Sequence, residues 1–319
     1  MSKQTKQGAR LGAALALALL TGCSAAAREA SPATREQAAA TREQAPATRE
    51  QTPATREQAA AEQTAGELTL PAFTNVRVDA VTTDVSFRYG SGYALHYELP
   101  EGELLEQAEV QDGTLLFCTE SEPDSSLPHH GQLVITLPED TELGEIRVYT
   151  SFGSLTFDGQ ANSLVYDTSS GDAEIGGVLA GSAEVYTSFG SLTFDGRANS
   201  LVYDTSSGDA EIGGVLADSL KVYTSFGSLR FTGQVASLNF ESSKGGAQVT
   251  GKITDTLRMD TTTGPLTAAL PDPTLMAETG GKLTVDGVEQ AGRFSRQGGG
   301  CSARITSSRG DITITTRTQ

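Results

Sequence analysis

VYTSFGSLTFDGQANSLVYDTSSGDAEIGGVLAGSAE, Val148 to Glu184, is followed at once by a second copy, Val185 to Lys221, that differs at four of its 37 positions. Each copy divides into two strand–turn–strand units of 18 or 19 residues, pinned by Gly153, Gly171, Gly190, Gly208 and Gly227. A unit this short cannot bury its apolar face alone, so it must stack on its neighbours. The repeat therefore predicts an all-β chain, an elongated β-solenoid or β-helix-like pile of rungs. Such a pile offers surface rather than an enclosed catalytic pocket.

Aligned on the turn glycines, alternate residues fall into columns, because successive strand residues face opposite sides. Inward columns read Val148, Tyr166, Val185, Tyr203, Val222, Phe240 before the turn. After it come Leu155, Ala173, Leu192, Ala210, Leu229, Ala247 and then Phe157, Ile175, Phe194, Ile212, Phe231, Val249. A rung that is large at one position is small at another, which lets neighbours interdigitate. Outward columns alternate as well: Tyr149, Asp167, Tyr186, Asp204, Tyr223, Glu241, and Thr156, Glu174, Thr193, Glu211. At a rung spacing of about 4.8 Å, a Tyr or Thr between acids holds like charges about 10 Å apart, near the Debye length in physiological salt. Gene duplication alone accounts for the copying but not for the alternation.

The pattern continues on both sides. Asn75 to Phe87 (NVRVDAVTTDVSF) reads as an N-terminal rung, with Val76, Val78, Ala80, Val85 and Phe87 inward. Val110 to Leu115 reads as a hairpin about Asp112-Gly113, and Gln132 to Leu137 as a strand. Degraded rungs follow around Gly245, Gly264, Gly281 and Gly310, as expected where a stack is capped. Almost nothing reads as helix.

The ends speak to location. Lys3, Lys6 and Arg10 precede a ten-residue apolar run, Leu11 to Leu20, too short to span a bilayer, so residues 1–22 read as a signal peptide. Leu20-Thr21-Gly22-Cys23 closely resembles the lipobox of bacterial lipoproteins, which implies lipidation of Cys23 after cleavage before it. The alternative is an ordinary secretory signal with a chance cysteine. Acyl chains on Cys23 would hold the chain on a membrane by lipid alone, as no other apolar run is long enough to cross. Residues 23–66 carry a seven-residue period of REQAPAT type with Pro32, Pro46 and Pro53, nearly neutral and unable to build a core, and read as a disordered spacer. Its threonines, set among prolines, could also accept O-linked sugar.

From Glu67 onward 15 Lys and Arg stand against 34 Asp and Glu, a net charge of −19. That argues against nucleic acid and anionic lipid as partners and fits cationic ligands. Cys118 and Cys301 could pair in an oxidising exterior; equally, Cys118 reads as a buried small residue and Cys301, after three glycines, as an exposed one.

Taken together, NVRVDAVTTDVSF, the DGTL hairpin, VITLPEDTELGEIRV (134–148) and the successive T-S-x-G turns resemble a family of bacterial β-strand-repeat domains known as "putative adhesin", whose function is largely unassigned. The resemblance covers about residues 67–319. It implies a β-repeat fold on a bacterial envelope, with some members associated with envelope-stress responses, and says little about activity.

Candidate chemistry is sparse. His96, His129 and His130 are the only histidines; His129-His130 and Asp124 share a polar loop with too few ligands for a metal. Turn serines such as Ser169 and Ser170 have no histidine base beside them. Asp172 and Asp209 could be imagined on calcium, yet the glycine-rich calcium-roll nonapeptide is missing. No catalytic residue, metal or cofactor is therefore expected. Tyr149, Tyr186 and Tyr223, with Phe152, Phe189 and Phe226 at the turn tips, would form an aromatic stripe able to take a surface glycan or a protein. Alternatively the phenylalanines fold back over the rung ends and the tyrosines cover strand backbone. The reading is a lipid-anchored, adhesin-like or scaffolding surface protein without catalysis. The alternatives are an envelope-stress or antimicrobial-peptide sensor and, disfavoured for want of a basic cluster, a carbohydrate-active enzyme.

Overall fold

A computed structural model describes residues 64–121 and 130–316. The signal peptide, Cys23, nearly all of the spacer, His129 and Asp124 lie outside the described residues. Among the described residues every regular element is a strand, and no helix is long and apolar enough to cross a membrane. The first strand, Ala65–Thr69, starts two residues before the boundary expected at Glu67.

Each central rung contributes one long and one short strand, and the two kinds run through the middle of two 14-stranded sheets. In the long-strand sheet, Glu142–Tyr149, Gln160–Asp167, Ser182–Thr187, Arg197–Thr205, Val215–Thr224, Gln234–Ser242 and Lys252–Thr261 pair in parallel in chain order. In the short-strand sheet, Leu155–Phe157, Ala173–Ile175, Leu192–Phe194, Ala210–Ile212, Leu229–Phe231, Ala247–Val249 and Leu266–Ala269 do the same. The register matches the columns read from the sequence: Val148 meets Tyr166, then Val185, Tyr203, Val222 and Phe240. All three inward columns are buried in one continuous core between the sheets. The nineteenth residue of a long rung is absorbed as a register shift between Leu216 and Ser219. In the first copy Gly181 interrupts the same strand, which Asp218 in the second copy leaves continuous.

The turns are built from a threonine and a glycine three residues on. The Gly190 N–H donates to Thr187 Oγ1 at 2.8 Å, Gly208 to Thr205 at 3.0 Å, and Gly227 to Thr224 at 2.8 Å. This local bond satisfies a turn amide that the ladder does not reach. The glycines are there for space rather than for backbone freedom: none of these turn glycines has positive φ. A Cβ on Gly171, Gly190, Gly208, Gly227 or Gly245 would overlap the carbonyl oxygen of the turn glycine one rung earlier.

Both ends depart from chain order in the same way. At the C-terminal end, Ser302–Ser307 and Ile312–Thr315 insert between the rung of Gly264 and the rung of Gly281. At the N-terminal end, the Asn75–Asp79 rung sits between the 142–157 rung and a later one made of Thr114–Ser121 and Gly131–Pro138. The outermost strands then pair antiparallel: Glu103–Gln111 on Thr114–Ser121, Ala65–Thr69 on Ala94–Glu98, Arg293–Arg296 on Thr274–Thr279, and Val288–Gln290 on Leu283–Val285. Hairpin caps of this kind end a parallel ladder that would otherwise template further chains.

The N-terminal cap holds a buried carboxylate. Glu103 is fully buried and accepts from the N–H groups of Val81 and Thr82 (3.1 and 3.0 Å) and the hydroxyls of Thr82, Thr83 and Thr119 (2.7, 3.0 and 2.5 Å). In later rungs turn amides find the carbonyl of the rung before them, as Ser188 and Phe189 find Ser169. The Val81–Thr83 turn has Glu103 in that place.

Cys118 and Cys301 do not pair. Cys301 is a free thiol, and it is buried rather than exposed; burial pushes it above the ordinary thiol range. The strand of Cys118 and the strand that Cys301 precedes are nine strand spacings apart in the sheet, on the order of 40 Å, far beyond disulfide reach.

Candidate functional site

Fold and turn chemistry together expose a row of phenylalanines. Two successive amides of each turn share one carbonyl of the preceding rung: Ser151 and Phe152 on Val81, Ser188 and Phe189 on Ser169, Ser225 and Phe226 on Ser206. This fixes Phe152, Phe189 and Phe226 at the tips, with Ser170 and Ser207 on the rungs between. The rings do not fold back; they are 49%, 67% and 57% exposed. They recur every second rung, about 10 Å apart. At one end the Lys244 ammonium lies 4.9 Å over the Phe226 ring, a cation–π contact.

The tyrosines form a separate row. Tyr149, Tyr186 and Tyr223 lie half-buried on the outer face of the long-strand sheet, in the register Asp79, Tyr149, Asp167, Tyr186, Asp204, Tyr223, Glu241, Asp260. Among the described residues no ring contact joins the two rows. Tyr186 donates to Glu184 Oε2 at 2.9 Å; burial, with the bond and charge of Glu184, pushes the phenol up to about 12. Asp167 and Asp204, each between two tyrosine rungs, are held above the ordinary carboxylate range by desolvation.

Other sequence candidates have structural partners. Asp172 and Asp209 accept from the N–H groups of Ser191 and Ser228, each at 2.7 Å, which locks one turn to the next. His130 contacts Asp84 at 3.3 Å and His96 contacts Glu98 at 3.5 Å, all four partly exposed. Among the described residues no three His, Cys, Asp or Glu come together as a metal site would need.

One feature of the outer face escaped the sequence reading. Lys221, Asn239, Arg258 and Arg304 occupy neighbouring strands in register, although the last two are 46 residues apart in the chain. Periodicity could have lined up the first three; the fourth depends on the inserted C-terminal rung.

The Toastrack DUF4097 family model matches residues 73–315. Among solved structures, the "putative adhesin" of Parabacteroides distasonis aligns over 79% of this chain and 97% of its own, at 13% identity and a TM-score of 0.51. A second one, from Bacteroides fragilis, aligns over 80% and 97%, at 12% identity and a TM-score of 0.41. Among curated proteins none matches. With three quarters of its length under one family model, and with every rung described above and all the caps but the Ala65–Thr69 strand inside that span, the chain belongs to the Toastrack DUF4097 family.

Proposed function

We propose that this chain is a non-catalytic surface-binding protein, adhesin-like in role, tethered to a bacterial membrane through lipid on Cys23 and presented on the spacer of residues 23–66. The observation that carries the reading is the exposed row of Phe152, Phe189 and Phe226. Three large apolar rings at constant spacing, held by two hydrogen-bonded turn amides each, form a rigid contact line with little entropy to lose on binding. The tyrosine row supplies polar-tipped rings on the adjoining face. A glycan or protein on another surface is the ligand class that flat rings serve best. The names given to the structural relatives agree with this role but, at such identity, add nothing about ligand.

A second reading, sensing of cationic peptides or of the cell's own envelope, draws on the net charge of −19 from Glu67 onward and on the Asp167, Asp204, Glu241 and Asp260 column. One experiment separates them. The full chain is coated on beads and offered host matrix, glycan panels, the producer's own envelope and cationic peptides. Salt-resistant capture of host material that is lost in F152S/F189S/F226S supports the adhesin. Capture only of cationic peptides, weakening with salt and indifferent to those substitutions, would replace it with the sensor. Lipidation is checked by incorporation of labelled fatty acid, which Cys23→Ala must abolish.

A further inference from the structure

The row Lys221, Asn239, Arg258, Arg304 crosses four neighbouring strands, about 14 Å at the usual strand spacing. Two residues earlier on the same strands, Ser219, Ser237 and Thr256 make a parallel row of hydroxyls, with Thr256 Oγ1 donating to Ser237 Oγ at 2.8 Å. Between the rows runs an open groove of about 480 Å³, floored by the backbone over the buried Leu220, Leu238 and Leu257. One wall is cationic; the other carries hydroxyls, of which Ser237 Oγ also donates to Asp255 Oδ2 at 3.4 Å.

The cations differ in how they are used. Arg258 is committed to its own face, with Nε on Asp260 at 2.5 Å and the guanidinium 4.0 Å from Glu241. Lys221 and Arg304, among the described residues, form no ion pair, although the surrounding surface is rich in acids. The duplication sharpens the point. Of the four positions at which the copies differ, one is Glu184 against Lys221, a reversal of charge in this column. The reversal falls in the copy whose rung lies two strands from Arg258 and three from Arg304, and the first copy keeps the acid.

We propose that this groove binds an acidic polysaccharide lying across the strands, its carboxylate or sulfate groups on Lys221 and Arg304 and its hydroxyls on the Ser219, Ser237, Thr256 row. Ammonium and guanidinium groups give charge-assisted hydrogen bonds to such anions. Serine and threonine both donate and accept, as sugar hydroxyls do. The strand spacing is close to the rise of one hexose in an extended glycan, so successive sugars can meet successive strands. The site lies on the sheet face, apart from the phenylalanine row at the turns, and stands whether or not that row binds anything.

The test measures binding of the full chain to dextran sulfate and to polygalacturonate, with uncharged dextran and poly-L-glutamate as comparisons. Both polyanionic sugars are expected to bind, uncharged dextran not, and binding is expected to weaken with salt. K221E/R304E should weaken it at least about tenfold, the loss of two charge-assisted contacts. Glutamate is already tolerated in this column at Glu184, and unchanged thermal melting confirms that the variant folds. R147E, which removes a cation paired with Glu145 at 2.8 Å outside the groove, should leave binding intact, and so should F152S/F189S/F226S. Failure of both sugars to bind better than dextran, or equal binding by K221E/R304E, overturns the proposal. Tighter binding of poly-L-glutamate than of either sugar overturns it in favour of an acidic protein.

Discussion

The phenolic hydroxyl of Tyr203, buried in the core, donates to the main-chain carbonyl of Gly190 in the preceding turn at 2.6 Å. Tyr166 makes the same bond to Gly153 at 2.5 Å. Burial drives both phenols well above the ordinary tyrosine range, so they donate at any physiological pH. The alternation of Val and Tyr along this column therefore does more than fill space: a tyrosine rung fastens the turn of a valine rung.

Tyr203→Phe tests that bond with little change in packing, since Phe240 fills the same column two rungs later. Orphaning a buried carbonyl costs about 1–3 kcal/mol. The unfolding free energy in urea should fall by that amount with an unchanged slope, and adding Tyr166→Phe should cost less than a second such step, because the Gly153 carbonyl keeps the Thr150 hydroxyl at 2.8 Å. An unchanged midpoint in the single variant would show that the hydroxyl is spare.

Glu103 predicts a localised failure. Glu103→Gln keeps the shape but turns an amide N–H₂ toward hydrogen-bond donors, at a cost of about 3 kcal/mol or more. Stability in a stack is set by neighbouring rungs, so the damage should stay near the cap. Hydrogen exchange at the Val81 and Thr82 amides should accelerate strongly while amides around Gly208 keep their protection. Uniform loosening of the whole stack would contradict the capping role.

The outer acidic column sets a pH dependence whose sign follows from desolvation. Asp167 and Asp204 titrate above their ordinary 3.8 in the folded chain, so folding disfavours their charged form. Their unfavourable contribution is absent below that value, grows as pH rises through the raised folded range, and is complete at neutrality. Asp167→Asn with Asp204→Asn should melt higher than the parent at about pH 7 and equal to it at about pH 3. A difference that survives at low pH would assign the effect to packing instead.

The central rungs were legible because a parallel stack with a near-constant repeat turns sequence spacing into spatial contact. Residues 18 or 19 apart are neighbours there, so Val148, Tyr166 and Val185 could be placed without coordinates. The same logic exposed the Phe152, Phe189, Phe226 spacing, though only the folded turns decided that the rings stay exposed. It was silent on Glu103, an acid in a stretch without period, and on Lys221 and Arg304 forming no ion pair among the described residues.

By itself, then, the sequence determined the rung, its inward and outward columns and the alternation of charge, because strand alternation and repeat length are local properties of the chain. The tertiary structure alone decided the order of the end rungs, the burial of Glu103, the separation of Cys118 from Cys301 and the meeting of Arg258 with Arg304. Those depend on which strand pairs with which after a reversal. Hairpin caps that insert one rung between two others leave no periodic trace.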